Sequence, residues 1–253
     1  TNKSFIKSAL LSYKISRNTT IKTSYYGGFR NPNIDDIGKV FSKNDKDVVV
    51  PNDKLEPEYA DNLELAINYQ NRKLQLQIKL YNTKLSNAIS RKYSSLNGVD
   101  SMLYDGEMMR IQMNKNIESA TINGISFFGK YTPNRLFNIR TDCNYLKGTS
   151  SNNNPLAHIP PLNASLTFSC VFKKHKFDFY AKYNAWKKEE DYDISGVDNL
   201  EEATIDGTPM WYILSLHYVY KIDDFLTFGC GIENIMDIHY KTFASGLSGS
   251  GRN

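Results

Sequence analysis

The sequence predicts an all-β fold, about ten antiparallel strands of a transmembrane β-barrel. Three observations carry this reading. Stretches of alternating apolar and polar residues recur along the chain. The clearest places Leu74, Leu76, Ile78 and Leu80 on one face and Lys73, Gln75, Gln77 and Lys79 on the other. The connections between stretches are short and long by turns, as in a barrel with tight turns at one rim and long loops at the other. The faces opposite the apolar stripes carry charge, which the dry core of a sandwich holds only as costly pairs.

The alternation places strands at about 4–16, 19–29, 58–70, 73–87, 107–131, 135–147, 162–173, 176–186, 210–221 and 225–240. Short turns fall at Arg17-Asn18, Asn71-Arg72, Thr132-Pro133-Asn134, Lys173-Lys174-His175 and Ile222-Asp223-Asp224, rich in residues that favour turn geometry. Long loops are expected at about 30–57, 88–106, 148–161, 187–209 and 241–253. Leu63, Leu65, Ile67 and Tyr69 form one apolar stripe. The even residues Leu162 to Phe172, the even residues Tyr212 to Tyr220, and the even residues Leu226 to Ile232 form three more. The opposite faces present Glu64, Asn68, Arg140, Asp142, Asn144, Lys182, Asn184, His217 and Glu233, which suits a water-filled or plugged lumen.

Composition agrees with a barrel. The chain has 253 residues, 23% of them charged, with a formal net charge of +4 and no basic stripe, so nucleic acid is not an expected partner. Aromatic residues make up 13%, including 17 Tyr, enough for interfacial girdles. The mean hydropathy of −0.49 fits strands that show lipid only every second residue. No apolar run approaches the ~18 residues of a membrane helix. Cys143, Cys170 and Cys230 sit in strand-like runs without a CxxC and read as small apolar side chains.

Motifs for other chemistry are missing. His158, His175, His217 and His239 are widely spaced, and no HExxH, P-loop or GxGxxG occurs. No Ser–His–carboxylate signature emerges, so an enzyme is not expected, nor a resident cofactor or metal. The acidic run of the 187–209 loop, from Glu189 and Glu190 through Asp198 to Asp206, reads first as solvation and second as a cation or partner site.

Five stretches in order resemble the C-terminal half of a TonB-dependent outer-membrane receptor. They are Gly28-Phe29-Arg30-Asn31-Pro32-Asn33, Val50-Pro51-Asn52-Asp53-Lys54-Leu55-Glu56-Pro57-Glu58 leading into Asn62-Leu63-Glu64-Leu65, Asn116 through Ile125, Pro155-Leu156-Ala157-His158-Ile159-Pro160-Pro161, and Gly231-Ile232-Glu233-Asn234-Ile235-Met236-Asp237-Ile238-His239-Tyr240. The resemblance implies a partial barrel: residues 1–253 would supply ten strands of a twenty-two-stranded wall, the twelfth to the twenty-first. Plug domain and final strand would lie outside the chain. It further implies a bacterial outer-membrane location, a TonB complex reached through the plug, and an iron cargo, siderophore or haem. The Phe29-Arg30-Asn31-Pro32 element is similar to one in haem and haemoglobin receptors, but no His stands between residues 33 and 55 to serve as the usual axial ligand.

Candidate ligand residues follow from loop position. Arg30 suits carboxylate chelates, and His158, His239, Tyr93 and Tyr104 are the rim groups able to meet iron or haem. Each also reads as a solvated or girdle residue. The alternatives are a self-contained small barrel acting as adhesin or passive pore, a soluble β-sandwich, and a barrel hydrolase.

Overall fold

The computed structural model describes residues 5–42, 46–194 and 197–253. The strand-like opening at residues 1–4 lies outside them. Fifteen strands are present among the described residues: β1 (Ser8–Lys14), β2 (Thr19–Arg30), β3 (Phe41–Ser42), β4 (Asp47–Val50), β5 (Glu58–Gln70), β6 (Leu74–Tyr93), β7 (Ser101–Tyr104), β8 (Glu107–Tyr131), β9 (Phe137–Ser150), β10 (Asn163–Phe172), β11 (His175–Asn184), β12 (Lys187–Lys188), β13 (Gly207–Thr208), β14 (Trp211–Lys221) and β15 (Thr227–Ile232). One short helix, α1 (Ile34–Ile37), follows β2.

The ten expected strands form one curtain in the order β1-β2-β5-β6-β8-β9-β10-β11-β14-β15. Every neighbouring pair in it is antiparallel, as short turns require. Cross-strand register puts the predicted stripes on a common face. Ile67 pairs with Ile78, Ile78 with Phe127, Phe127 with Cys143 and Cys143 with Ala164. Lower down, Phe168 faces Phe179, and Phe179 faces Leu216. Ile67, Ile78, Phe168 and Leu216 are exposed and the others half-buried, which suits a face that meets lipid. His175, Tyr218 and Tyr220 stack near the tight-turn rim, with ring centroids 4.9 to 6.0 Å apart.

The other face is a paved polar surface. Gln77 donates to Asn68 at 2.6 Å, Thr83 to Asn62 at 2.6 Å and Ser169 to Asp178 at 2.6 Å. Lys79 lies 3.4 Å from Glu64 and Arg140 lies 3.2 Å from Asp142. Ser215 and His217 both bond Glu233. Such a surface faces water or another polar partner, not a packed apolar core.

Two expectations are corrected. The last strand ends at Ile232, not near residue 240. Asn234 and Asp237 adopt φ of 49° and 54°, which no strand continues through. The buried Asn234 amide holds this turn, donating to Ile238 O and Ser250 O and accepting from Ile238 N. The long loops are also more structured than turns of solvated chain. β6 continues to Tyr93 and, with β7 and β8, is longer than a bilayer crossing needs: the 25 residues of β8 span about 80 Å against ~30 Å of hydrocarbon. Into this projecting sheet β4 inserts in parallel, Val48 opposite Ile111 and Val50 opposite Met113. Val48, Val50, Met109 and Ile111 then make a small dry core, flanked by Met102, Tyr104 and Met113.

Candidate ligand site at the barrel mouth

Where the curtain opens into the long loops, a cavity of about 380 Å³ lies on the inner face. Its floor is apolar. Leu85 pairs with Ala120 across β6 and β8, and Ile122 stands two residues on, all on the inward side. Ala88, Ile89 and Ile117 extend the patch outward, and Leu156 and Ala157 roof it.

The roof is there because Gly148 leaves room for it. A Cβ at residue 148 would lie 2.8 Å from Ile159 Cδ1 and 3.1 Å from Leu156 Cδ1, so the bare backbone lets the 151–161 loop turn inward. His158 takes a left-handed φ of 64° in this turn. Its backbone N–H donates to both carboxylate oxygens of Asp198, at 3.0 and 2.9 Å, and its Nδ1 stands 2.9 Å from Asp198 Oδ1. Asp198 is 1% exposed whereas the His158 side chain is 72% exposed. The carboxylate therefore fixes the ring through Nδ1 and turns Nε2 outward, where it has no partner among the described residues. A metal-ligating histidine is oriented in the same way, with its second nitrogen held by a carboxylate.

The 187–209 loop supplies Asp198 and is tied down around Lys187. The Lys187 ammonium is buried, donates to Ile159 O at 2.8 Å, and lies 5.7 and 5.1 Å from the rings of Tyr192 and Phe243. Burial pushes Lys187 below the ordinary lysine value, and the charges of Asp191 and Asp198 pull it back up. The acidic run is thus only partly solvated: Asp193 and Asp198 are buried, and Asp193 pairs with Lys92 at 3.8 Å.

Arg30 and Arg91 reach the same cavity by different routes. Arg30 ends β2 opposite Glu58 and bonds it at 2.7 Å through Nε. Its Nη1 lies 2.6 Å from Asp36 Oδ2. Asp36 and Asn33 form the reciprocal capping box of α1, so Arg30 staples that helix to the wall. Hydrogen bonding to Glu58 holds the Arg30 guanidinium still more firmly charged, with burial opposing. Arg91, on β6, has no such acid among the described residues. Its guanidinium sits 5.1 Å from the Phe41 ring, and its Nε is buried with no hydrogen-bond partner. Burial alone pushes its guanidinium down.

Arg30 and His158, expected from loop position, therefore line one cavity. Tyr93 and Tyr104 do not join them. Tyr93 accepts from Arg110 Nη2 at 2.8 Å beneath that guanidinium, in the outer hairpin, and Tyr104 flanks the dry core. His239 is exposed in the turn after Asn234, away from the cavity lining. Arg91 was not foreseen. The one signal for it is a cation placed where β6 outruns the length a membrane needs. Among the described residues no group of His, Cys, Asp and Glu is arranged to hold a metal ion.

A one-curtain antiparallel sheet with lipid-suited outside, polar inside, tight turns at one rim and a built mouth at the other defines the wall of an outer-membrane-type β-barrel. The family model described as "TonB dependent receptor-like, beta-barrel" matches residues 1–235, so the chain belongs to the TonB-dependent receptor family. Two curated proteins of Haemophilus influenzae are similar to it. "Probable hemoglobin and hemoglobin-haptoglobin-binding protein 4" is 23% identical over 90% of this chain and 24% of its own length. "Hemoglobin and hemoglobin-haptoglobin-binding protein A" is 26% identical over 90% and 22%. The chain thus spans about a quarter of the length of these relatives. Among solved structures, the ferric enterobactin receptor of Pseudomonas aeruginosa in complex with enterobactin superposes with a TM-score of 0.76 at 16% identity, over 98% of this chain and 39% of that one. The siderophore receptor PirA of Acinetobacter baumannii gives 0.75 at 16% identity, over 98% and 39%. The copper transporter OprC gives 0.75 at 17% identity, over 97% and 38%. Proteins of this family are outer-membrane receptors and transporters.

Proposed function

We propose that this chain forms the C-terminal wall and outer mouth of an outer-membrane receptor that takes up an iron compound, haem foremost, by TonB-driven transport. The plug and its TonB contact would be supplied by a part of the receptor outside these residues. The single observation that carries the haem reading is His158: it lines a cavity with an apolar floor, and Asp198 clamps its Nδ1. An axial ligand is what haem asks of a protein, and a flat porphyrin asks for an apolar wall beside it. The haemoglobin-binding relatives support the same cargo. A ferric siderophore is the second reading, favoured by the paired cations Arg30 and Arg91 at the mouth.

The test uses the full-length receptor in its outer membrane and in detergent. Haemin should bind with the visible spectrum of an imidazole-ligated iron, and His158→Ala should change that spectrum and weaken binding about tenfold or more. Growth on haemin as iron source should vanish without TonB; growth that persists would mark a passive pore instead. An unchanged spectrum in His158→Ala would remove haem ligation by this loop and leave the siderophore reading.

A further inference from the structure

Resting on that uptake reading, we propose that Arg91 is the anion anchor of the mouth cavity, so that the preferred ligand is an apolar molecule bearing a carboxylate. Among the described residues, the charged or ionisable groups lining the cavity are Arg30, Asp36, Glu58, Arg91 and His158. Asp36 and Glu58 are already engaged. One oxygen of Glu58 takes Arg30 and the other accepts the Ile89 backbone N–H at 2.9 Å. Asp36 takes Arg30 and the Asn33 N–H. His158 is committed through Nδ1 to Asp198. Arg30 and the two acids satisfy one another, which leaves Arg91 as the charge without a counter-ion among the described residues.

A guanidinium that is half-buried without a carboxylate is costly, and proteins pair such groups. Here Phe41 supports one side of Arg91, and no acid among the described residues pairs with the rest. Phe41 is itself held in place by pairing with Val49 of β4, so the platform is built and does not depend on a ligand. The planar fork of an arginine fits a carboxylate in two-point geometry. The wall beside it, from Leu85 to Ile122, accepts an apolar body. The site thus asks for both properties in one molecule. A neutral apolar compound would leave Arg91 unpaired, and a small hydrophilic anion would leave the floor wet.

The test separates this anchor from iron by using metal-free protoporphyrin IX, a dicarboxylate, against its dimethyl ester. Both are titrated into the purified full-length receptor. In the wild type the diacid should bind at least about tenfold tighter than the diester. Arg91→Gln should collapse that ratio toward one by weakening the diacid alone, and Arg91→Lys should restore part of it. Heat-modifiable gel migration confirms that each variant barrel is folded. A ratio unchanged in folded Arg91→Gln, or a wild type indifferent to esterification, would overturn the anchor. If haemin supports no growth through the receptor while the ratio still depends on Arg91, the uptake reading falls and the anion site stands.

Discussion

The curtain and the mouth of this chain are held together by different physics. Along the curtain almost nothing is buried. Leu63, Leu65, Ile78, Leu80 and Leu166 are each at least 40% exposed, and the inner side is mostly half-buried, with Ala66, Asp178 and Ser215 among its few buried residues. Ladder hydrogen bonds supply the order, and apolar burial comes from whatever medium surrounds the sheet. At the mouth the same chain builds its own interior. Val48, Met109 and Ile111 are at most 4% exposed, and Lys187, Asp193 and Asp198 are buried polar groups. A barrel wall can be generic because lipid completes it. A mouth must hold shape in water, so it needs a local core and satisfied buried charges.

The largest expected effect breaks that comparison directly. Ile111→Ala removes a nearly inaccessible side chain from the small dry core, and such truncations cost about 3 kcal/mol. Limited proteolysis of outer-membrane vesicles should then cut the 88–106 region faster, with the barrel's heat-modifiable migration unchanged. Leu65→Ala, on the lipid-suited stripe, should leave the mouth as resistant as before, since lipid refills the space. Equal protease sensitivity in both variants would mean that wall and mouth are one cooperative unit.

Lys187 sharpens the same contrast electrostatically. Burial lowers its proton affinity in the folded mouth relative to the unfolded loop. The unfolded loop therefore binds more protons, and the burial cost applies in full below the folded value. It is relieved as pH rises through that value toward the ordinary lysine one. Protease resistance of the 187–209 loop should thus increase at high pH in the wild type. In Lys187→Met, which keeps the apolar stem between Tyr192 and Phe243, that increase should disappear. The net change at neutral pH should stay within about 1 kcal/mol, because Ile159 O loses its donor as the charge penalty goes. A wild-type loop indifferent to pH would show that the ammonium is hydrated in solution.

The two regions also differ in how far they can be read from sequence. The wall is local: period two gives the strands, Asn, Asp and Pro give the turns, and all ten strands stand where the alternation places them, β15 ending early. Its exception is instructive. The expected strand runs on through Asn234 to residue 240, but Asn234 satisfies backbone groups as far off as Ser250, and no pattern announces that. The mouth is non-local throughout. Val48-Val49-Val50, three β-branched residues inside the expected 30–57 loop, form most of β4. Their parallel partner on β8 cannot be inferred from spacing. Nor does any spacing join His158 to Asp198, or leave Arg91 without an acid; those follow only from the folded loops.

The smallest expected effect separates the two arginines. Arg30 is already bonded to Glu58 and Asp36 and is 44% exposed, so its pairs contribute about 0.5 kcal/mol each to holding α1 on the wall. Arg30→Gln should loosen that helix slightly and weaken binding of a carboxylate ligand by no more than about twofold. Arg91→Gln, losing a cation without a counter-ion among the described residues, should weaken the same ligand far more. The comparison is made by titrating both variants with one ligand at one ionic strength, since exposed charges are screened more than half-buried ones. Equal losses would place Arg30 on the ligand too, with Glu58 and Asp36 then serving to aim it. A loss confined to Arg30→Gln would move the anion site to the α1 side of the cavity.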